Sequence, residues 1–94
     1  MLYPARKVHG VLVGKLGCEV LEGGRHTRYR AYREGQIIAT TLISRGASEL
    51  ADGIISRIAK ELCVRTQVFK KICECLYGLK EYLEHYNPGL NPRR

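Results

Sequence analysis

The sequence predicts an α+β fold: a helix, a three-stranded antiparallel sheet and a second helix, with an additional C-terminal helix, in a two-layer sandwich. Three observations predict it. Apolar residues recur at helical spacing before residue 17 and again after residue 52. Between them, residues 25–33 and 36–44 read as extended segments around Glu34-Gly35, a two-residue loop with glycine second. No linker or internal repeat divides the 94 residues, so the chain reads as a single domain over 1–94.

The first helix is placed at 4–16, with Pro4 in its first turn. Val8, Leu12 and Leu16 recur every four residues and Val11 lies beside them, leaving Arg6, Lys7 and Lys15 to water. Gly10 and Gly14 weaken this helix, and Val11-Leu12-Val13 alone could equally be a strand. Gly17 is a natural stop. Cys18-Glu19-Val20-Leu21 forms a short strand, and Gly23-Gly24 a tight turn.

Across the hairpin, Tyr32 is expected opposite Ile37, Ala31 opposite Ile38 and Tyr29 opposite Thr40. Thr27, Tyr29, Ala31, Ile38, Thr40 and Leu42 would then lie on the helices. His26, Arg28 and Arg30 would share the other face with Ile37, Ala39 and Thr41.

Asp52 suits the N-cap of a helix over about 53–62, with Ile54, Ile58 and Leu62 on one side and Ile55 and Ala59 adjoining. Thr66 is expected to cap the next helix, whose stripe is Val68, Phe69, Ile72, Cys73 and Leu76. Gly78 interrupts it, and a helical extension over about 79–86 presents Leu79, Leu83 and Tyr86. Asn87-Pro88-Gly89 stops that extension, and 87–94 reads as a loose tail. The core of the domain spans about 5–75.

Sixteen Lys and Arg against nine Asp and Glu leave a net charge of +7. Residues 1–46 carry +5 of it and residues 47–94 carry +2. Such a surplus suits nucleic acid or an acidic protein partner. No secretory signal opens the sequence, and no apolar run approaches the roughly 20 residues a membrane span needs. Cys18, Cys63, Cys73 and Cys75 lack Cys-x-x-Cys spacing and have no nearby histidine to complete a zinc pattern. They read as reduced, mostly buried thiols of a cytoplasmic protein that needs no metal or cofactor.

The chemistry concentrates at Gly23-Gly24-Arg25-His26-Thr27-Arg28-Tyr29-Arg30. Glycines before His26 allow close backbone approach, and Arg28 and Arg30 follow on its side of a strand. His9 and His85 lack such a setting. Asp52 is the only aspartate, the glutamates are scattered with no close pair of the kind glycoside hydrolysis needs, and Ser44 and Ser48 lack the glycine elbow of a serine hydrolase. Gly23-Gly24 is too short for a nucleotide-cradling loop.

One reaction fits. RNA carries its own nucleophile, the 2′-hydroxyl, beside the scissile phosphate. A histidine can move the proton and arginines can hold the charged phosphate, with no metal. His26 is then the catalytic candidate. Arg25, Arg28 and Arg30 are phosphate-binding candidates, with Lys15 and Arg45 as secondary ones.

The element order, Leu16-Gly17-Cys18-Glu19-Val20, Gly24-Arg25-His26, the hairpin from Tyr29 to Leu42, and Glu49-Leu50-Ala51-Asp52-Gly53-Ile54-Ile55 with Ile58 resemble the HicA toxin family over roughly residues 5–75. That resemblance implies a fold like the double-stranded-RNA-binding domain and an mRNA-cleaving activity with His26 as the catalytic histidine. It also implies a HicB-type antitoxin partner that covers the site. Arg25 stands where the family pattern has serine. Two further readings keep the same fold: a non-catalytic nucleic-acid-binding module, or a protein-binding regulator such as a phage or mobile-element factor.

Overall fold

The computed structural model describes residues 2–91, and the end of the expected tail, 92–94, lies outside them. A two-residue strand β1, Tyr3–Pro4, leads into α1, Ala5–Gly10, which continues as a π-helical segment, Val11–Lys15. Strands β2, Glu19–Gly23, β3, His26–Arg33, and β4, Gln36–Ser44, form an antiparallel sheet in that order. A second two-residue strand, β5, Glu49–Leu50, pairs with β1. Helices α2, Asp52–Glu61, α3, Thr66–Cys73, and α4, Leu79–His85, follow, and a 3₁₀ turn over Pro88–Leu90 closes the described chain. The architecture is α+β, as the sequence predicts.

The first helix is helical through the stretch that could have been a strand. Its second half widens to π geometry, with the Leu16 N–H donating to the Val11 carbonyl at 3.1 Å. Gly17, at φ +64°, turns the chain out of it into β2. Val8 and Leu12 are fully buried from this segment, and Ile55, Ile58 and Ala59 from α2. With Tyr29 and Ala31 of β3 and Phe69 and Ile72 of α3 they form one core between the sheet and the helices.

The hairpin register departs from expectation. Tyr32 pairs with Ile37, but an irregularity between Ala31 and Tyr32 sets Ala31 opposite Ala39, Arg30 opposite Thr40 and Tyr29 opposite Thr41. One residue of slip exchanges the faces of β4. Ala39, Thr41 and Ile43 are therefore the core residues, whereas Thr40 is exposed and Ile38 and Leu42 are half-buried. Buried Thr41 donates to the carboxylate of buried Glu61 at 2.7 Å.

The helix starts differ as well. Ala51 and Arg65 occupy the N-cap positions of α2 and α3, and neither helix has a side-chain cap. Asp52 instead sits in the first turn and pairs with Lys70 at 3.4 Å, which holds its carboxyl below the usual range. Ile54, Leu76 and Leu79 are exposed rather than part of the apolar stripes. The fully buried residue of α4 is Tyr82, whose hydroxyl donates to the Leu62 carbonyl at 2.9 Å. Among the described residues no helix is long and apolar enough to cross a membrane.

Candidate functional site

Strand alternation disposes the basic face. Thr27, Tyr29 and Ala31 of β3 point into the core, so His26, Arg28 and Arg30 face outward. Gly24, at φ +62°, turns β2 into β3 and brings Gly23 opposite His26. Arg45 holds that turn: its backbone N–H donates to the Arg25 carbonyl at 3.0 Å and its guanidinium to the Gly24 carbonyl at 3.3 Å.

His26 also pairs across β4 with Ser44, the last residue of that strand. The chain then returns through β5 to α2, leaving a cleft of about 310 Å³ at this end of the sheet. His26, Ser44, Glu49 and Arg57 supply its polar lining, and Leu50 and Ile54 are among its apolar walls. This volume stands at the low end of small-ligand pockets, which begin near 300 Å³.

Of the predicted site residues, only His26 lines the cleft. Arg28 lies in a separate shallow hollow of about 260 Å³ beside Glu22 and Gly23. Arg30 is half-buried and pairs with Glu19 at 3.8 Å. Arg25 is exposed at the turn, next to His26 in sequence but outside the cleft lining. Lys15 is engaged elsewhere: its ammonium donates to the Ile72 carbonyl at 3.0 Å, near the end of α3, and lowers the pKa of the exposed Cys75 thiol. His9 bonds the Tyr29 hydroxyl at 2.8 Å, and His85 stacks on Tyr77, so neither belongs to the cleft.

Sequence reasoning missed Glu49 and Arg57. Glu49 owes its place to the β1–β5 pair, in which Leu50 turns inward and Glu49 outward. Two-residue strands carry too little alternation to be read from sequence. Arg57 is one of two basic residues of α2, with Lys60, and nothing local to it points toward His26. Its Nη2 donates to the Leu42 carbonyl at 2.7 Å, while its Nε is enclosed and has no partner among the described residues.

Burial pushes the Cys18 and Cys73 thiols up to about 11. Among the described residues no three His, Cys, Asp or Glu side chains gather as a metal site. Chemically, the cleft offers an imidazole, a guanidinium, a carboxylate and a hydroxyl. Protein-family models, curated proteins and solved structures were all compared with the chain, and none matches it.

Proposed function

We propose that this protein is a HicA-like, metal-independent ribonuclease toxin that cleaves mRNA in the cytoplasm and is restrained by a HicB-like antitoxin. The observation that carries this reading is the placement of His26 in a cleft with Arg57. An imidazole is suited to move the proton of a 2′-hydroxyl or of the leaving oxygen. A guanidinium is suited to the charge that builds on phosphorus. The exposed arginines near the cleft supply the electrostatic attraction for a polyanion.

Cleavage of an RNA oligonucleotide by the purified protein, with chelator present, tests the reading. Activity is expected on RNA and not on the matching DNA, and His26→Ala is expected to abolish it. Cleavage by the alanine variant at the parent rate would remove His26 from the mechanism.

A second reading, a nucleic-acid-binding module without cleavage, is favoured by one observation: Arg28 and Arg30 lie along the open sheet face rather than in the cleft. Steeply salt-dependent RNA binding without any cleavage would select it.

A further inference from the structure

Besides His26 and Arg57, the cleft contains one charged group with no part yet in the reaction, Glu49. Glu49 is exposed at its rim, on a two-residue strand fixed by buried Leu50 and by pairing with Pro4. Among the described residues its carboxylate makes neither an ion pair nor a side-chain hydrogen bond. Arg57 is held at one end by the Leu42 carbonyl, and among the described residues its enclosed Nε–H has no acceptor. That nitrogen is out of a ligand's reach, but the guanidinium lines the cleft, and its planar fork suits the oxygens of a phosphate. A guanidinium, a carboxylate and an imidazole in one cleft supply an anchor for a phosphodiester and two groups able to exchange protons with it.

We propose that Glu49 and Arg57 complete the site of His26, Glu49 as the proton acceptor and Arg57 as the phosphate anchor of RNA cleavage; this rests on the ribonuclease reading above. The Glu49 carboxylate takes the proton of the 2′-hydroxyl, and the freed oxygen pair forms a bond to phosphorus. The bond from phosphorus to the 5′ oxygen breaks, and the His26 imidazolium gives its proton to that leaving oxygen. The products are a 2′,3′-cyclic phosphate and a 5′-hydroxyl. Proton exchange with water restores carboxylate and imidazolium, and Arg57 faces the charge on the non-bridging oxygens throughout.

The test is single-turnover cleavage of an oligoribonucleotide across about pH 4 to 9, with chelator, by the parent protein and by Glu49→Gln, Arg57→Lys and His26→Ala. A bell-shaped profile is expected for the parent, its acid limb set by Glu49 and its alkaline limb by His26. Glu49→Gln is expected to lower the rate by about 10²-fold or more and to remove the acid limb alone. Arg57→Lys keeps a charge on the helix but loses the fork, and a fall of about 10²-fold is expected. In parallel, the His26 ring resonances are followed while cytidine 3′-monophosphate is added, and about tenfold weaker binding is expected for Arg57→Lys. If His26→Ala is inactive while Glu49→Gln keeps both limbs and the parent rate, the assignment of Glu49 falls and the ribonuclease reading stands. Parent-like rate and nucleotide binding in Arg57→Lys would remove Arg57 in the same way. If the parent protein cleaves nothing, the ribonuclease reading falls and takes the proton-transfer assignment with it.

Discussion

Arg57 of α2 and Leu42 of β4 are joined by a side-chain-to-backbone hydrogen bond of 2.7 Å that covers the open edge of the sheet. Four residues earlier on the same strand, the Tyr86 hydroxyl donates to the Ile38 carbonyl, also at 2.7 Å. An uncovered edge strand presents unpaired carbonyls that invite pairing with another chain. Here two side chains from the helical layer occupy them. Tyr86→Phe is expected to lower unfolding free energy by about 1 kcal/mol in urea titrations. Arg57→Lys is expected to lower it by about 1–2 kcal/mol. The two carbonyls stand about 13 Å apart at strand rise, so the double variant is expected to be additive. A strongly non-additive result would show that the edge yields as one unit.

The β3–β4 loop carries strain that a single substitution should relieve. Glu34 and Gly35 have φ values of +53° and +80°, the pattern of a type I′ turn. Glycine takes that conformation freely, but for a glutamate it costs about 1–2 kcal/mol, whereas asparagine tolerates it better. Glu34→Asn is expected to raise stability by about 0.5–1 kcal/mol, read as a higher urea midpoint with an unchanged slope. A lower midpoint would mean that the Glu34 side chain contributes something the backbone argument omits.

The helices and the hairpin were legible because their patterns run over many residues. Val8, Leu12 and Leu16 repeat over about two turns, and Thr27, Tyr29 and Ala31 alternate along β3; all six are buried. The face of β4 was not legible. The irregularity beside Tyr32 moves Ala39, Thr41 and Ile43 inward, and no residue type there announces it. Thr41 could be buried only because Glu61, twenty residues on, accepts its hydroxyl. Asp52 and Thr66 look like caps by residue type, yet each stands one residue inside its helix. The candidate site was half legible. His26 stood out through its glycine and arginine neighbours, whereas Glu49 and Arg57 reach the cleft through long-range contacts, with Pro4 and Leu42 respectively.

The buried thiols tie stability to alkaline pH. Burial raises Cys18 and Cys73 from an ordinary value of 9.0 to about 11, because the folded state disfavours the thiolate. In the unfolded chain each thiol loses its proton near its ordinary value. The stabilisation is therefore full below about pH 9 and declines as pH rises toward 11, by about 2–3 kcal/mol per thiol. Urea midpoints are expected to fall across this window, and Cys18→Ala is expected to flatten the fall. An equally steep decline in a Cys18→Ala, Cys73→Ala double variant would assign it to the buried tyrosines instead.

Cys75 should behave in the opposite way. It is exposed, and the Lys15 ammonium, through hydrogen bonding and charge, lowers its thiol from the ordinary value. Thiolate is the reactive form, so Cys75 is expected to react first with iodoacetamide at neutral pH. Buried Cys18, Cys63 and Cys73 are expected to react only on unfolding. Lys15→Met is expected to slow Cys75 alkylation several-fold without exposing the others, as peptide mapping of the alkylated protein would report. Unchanged alkylation would show that Lys15 does not act on the thiol in solution.

Arg28 and Arg30 should contribute unequally to RNA binding, although they alternate on the same face of β3. Arg30 is half-buried and pairs with Glu19, whose other bond comes from the Tyr32 hydroxyl at 2.6 Å. A phosphate that recruits Arg30 must compete with that carboxylate. Arg28 is exposed and makes no comparable ion pair among the described residues. Each phosphate contact contributes about one unit to the slope of log affinity against log salt. Arg28→Ala is expected to reduce that slope by about one unit, and Arg30→Ala by distinctly less. Glu19→Gln frees Arg30 and is expected to strengthen binding at low salt, with the gain lost in a Glu19→Gln, Arg30→Ala double variant. Equal slopes for the two single alanine variants would show that the Glu19 pair opens without resistance when RNA arrives.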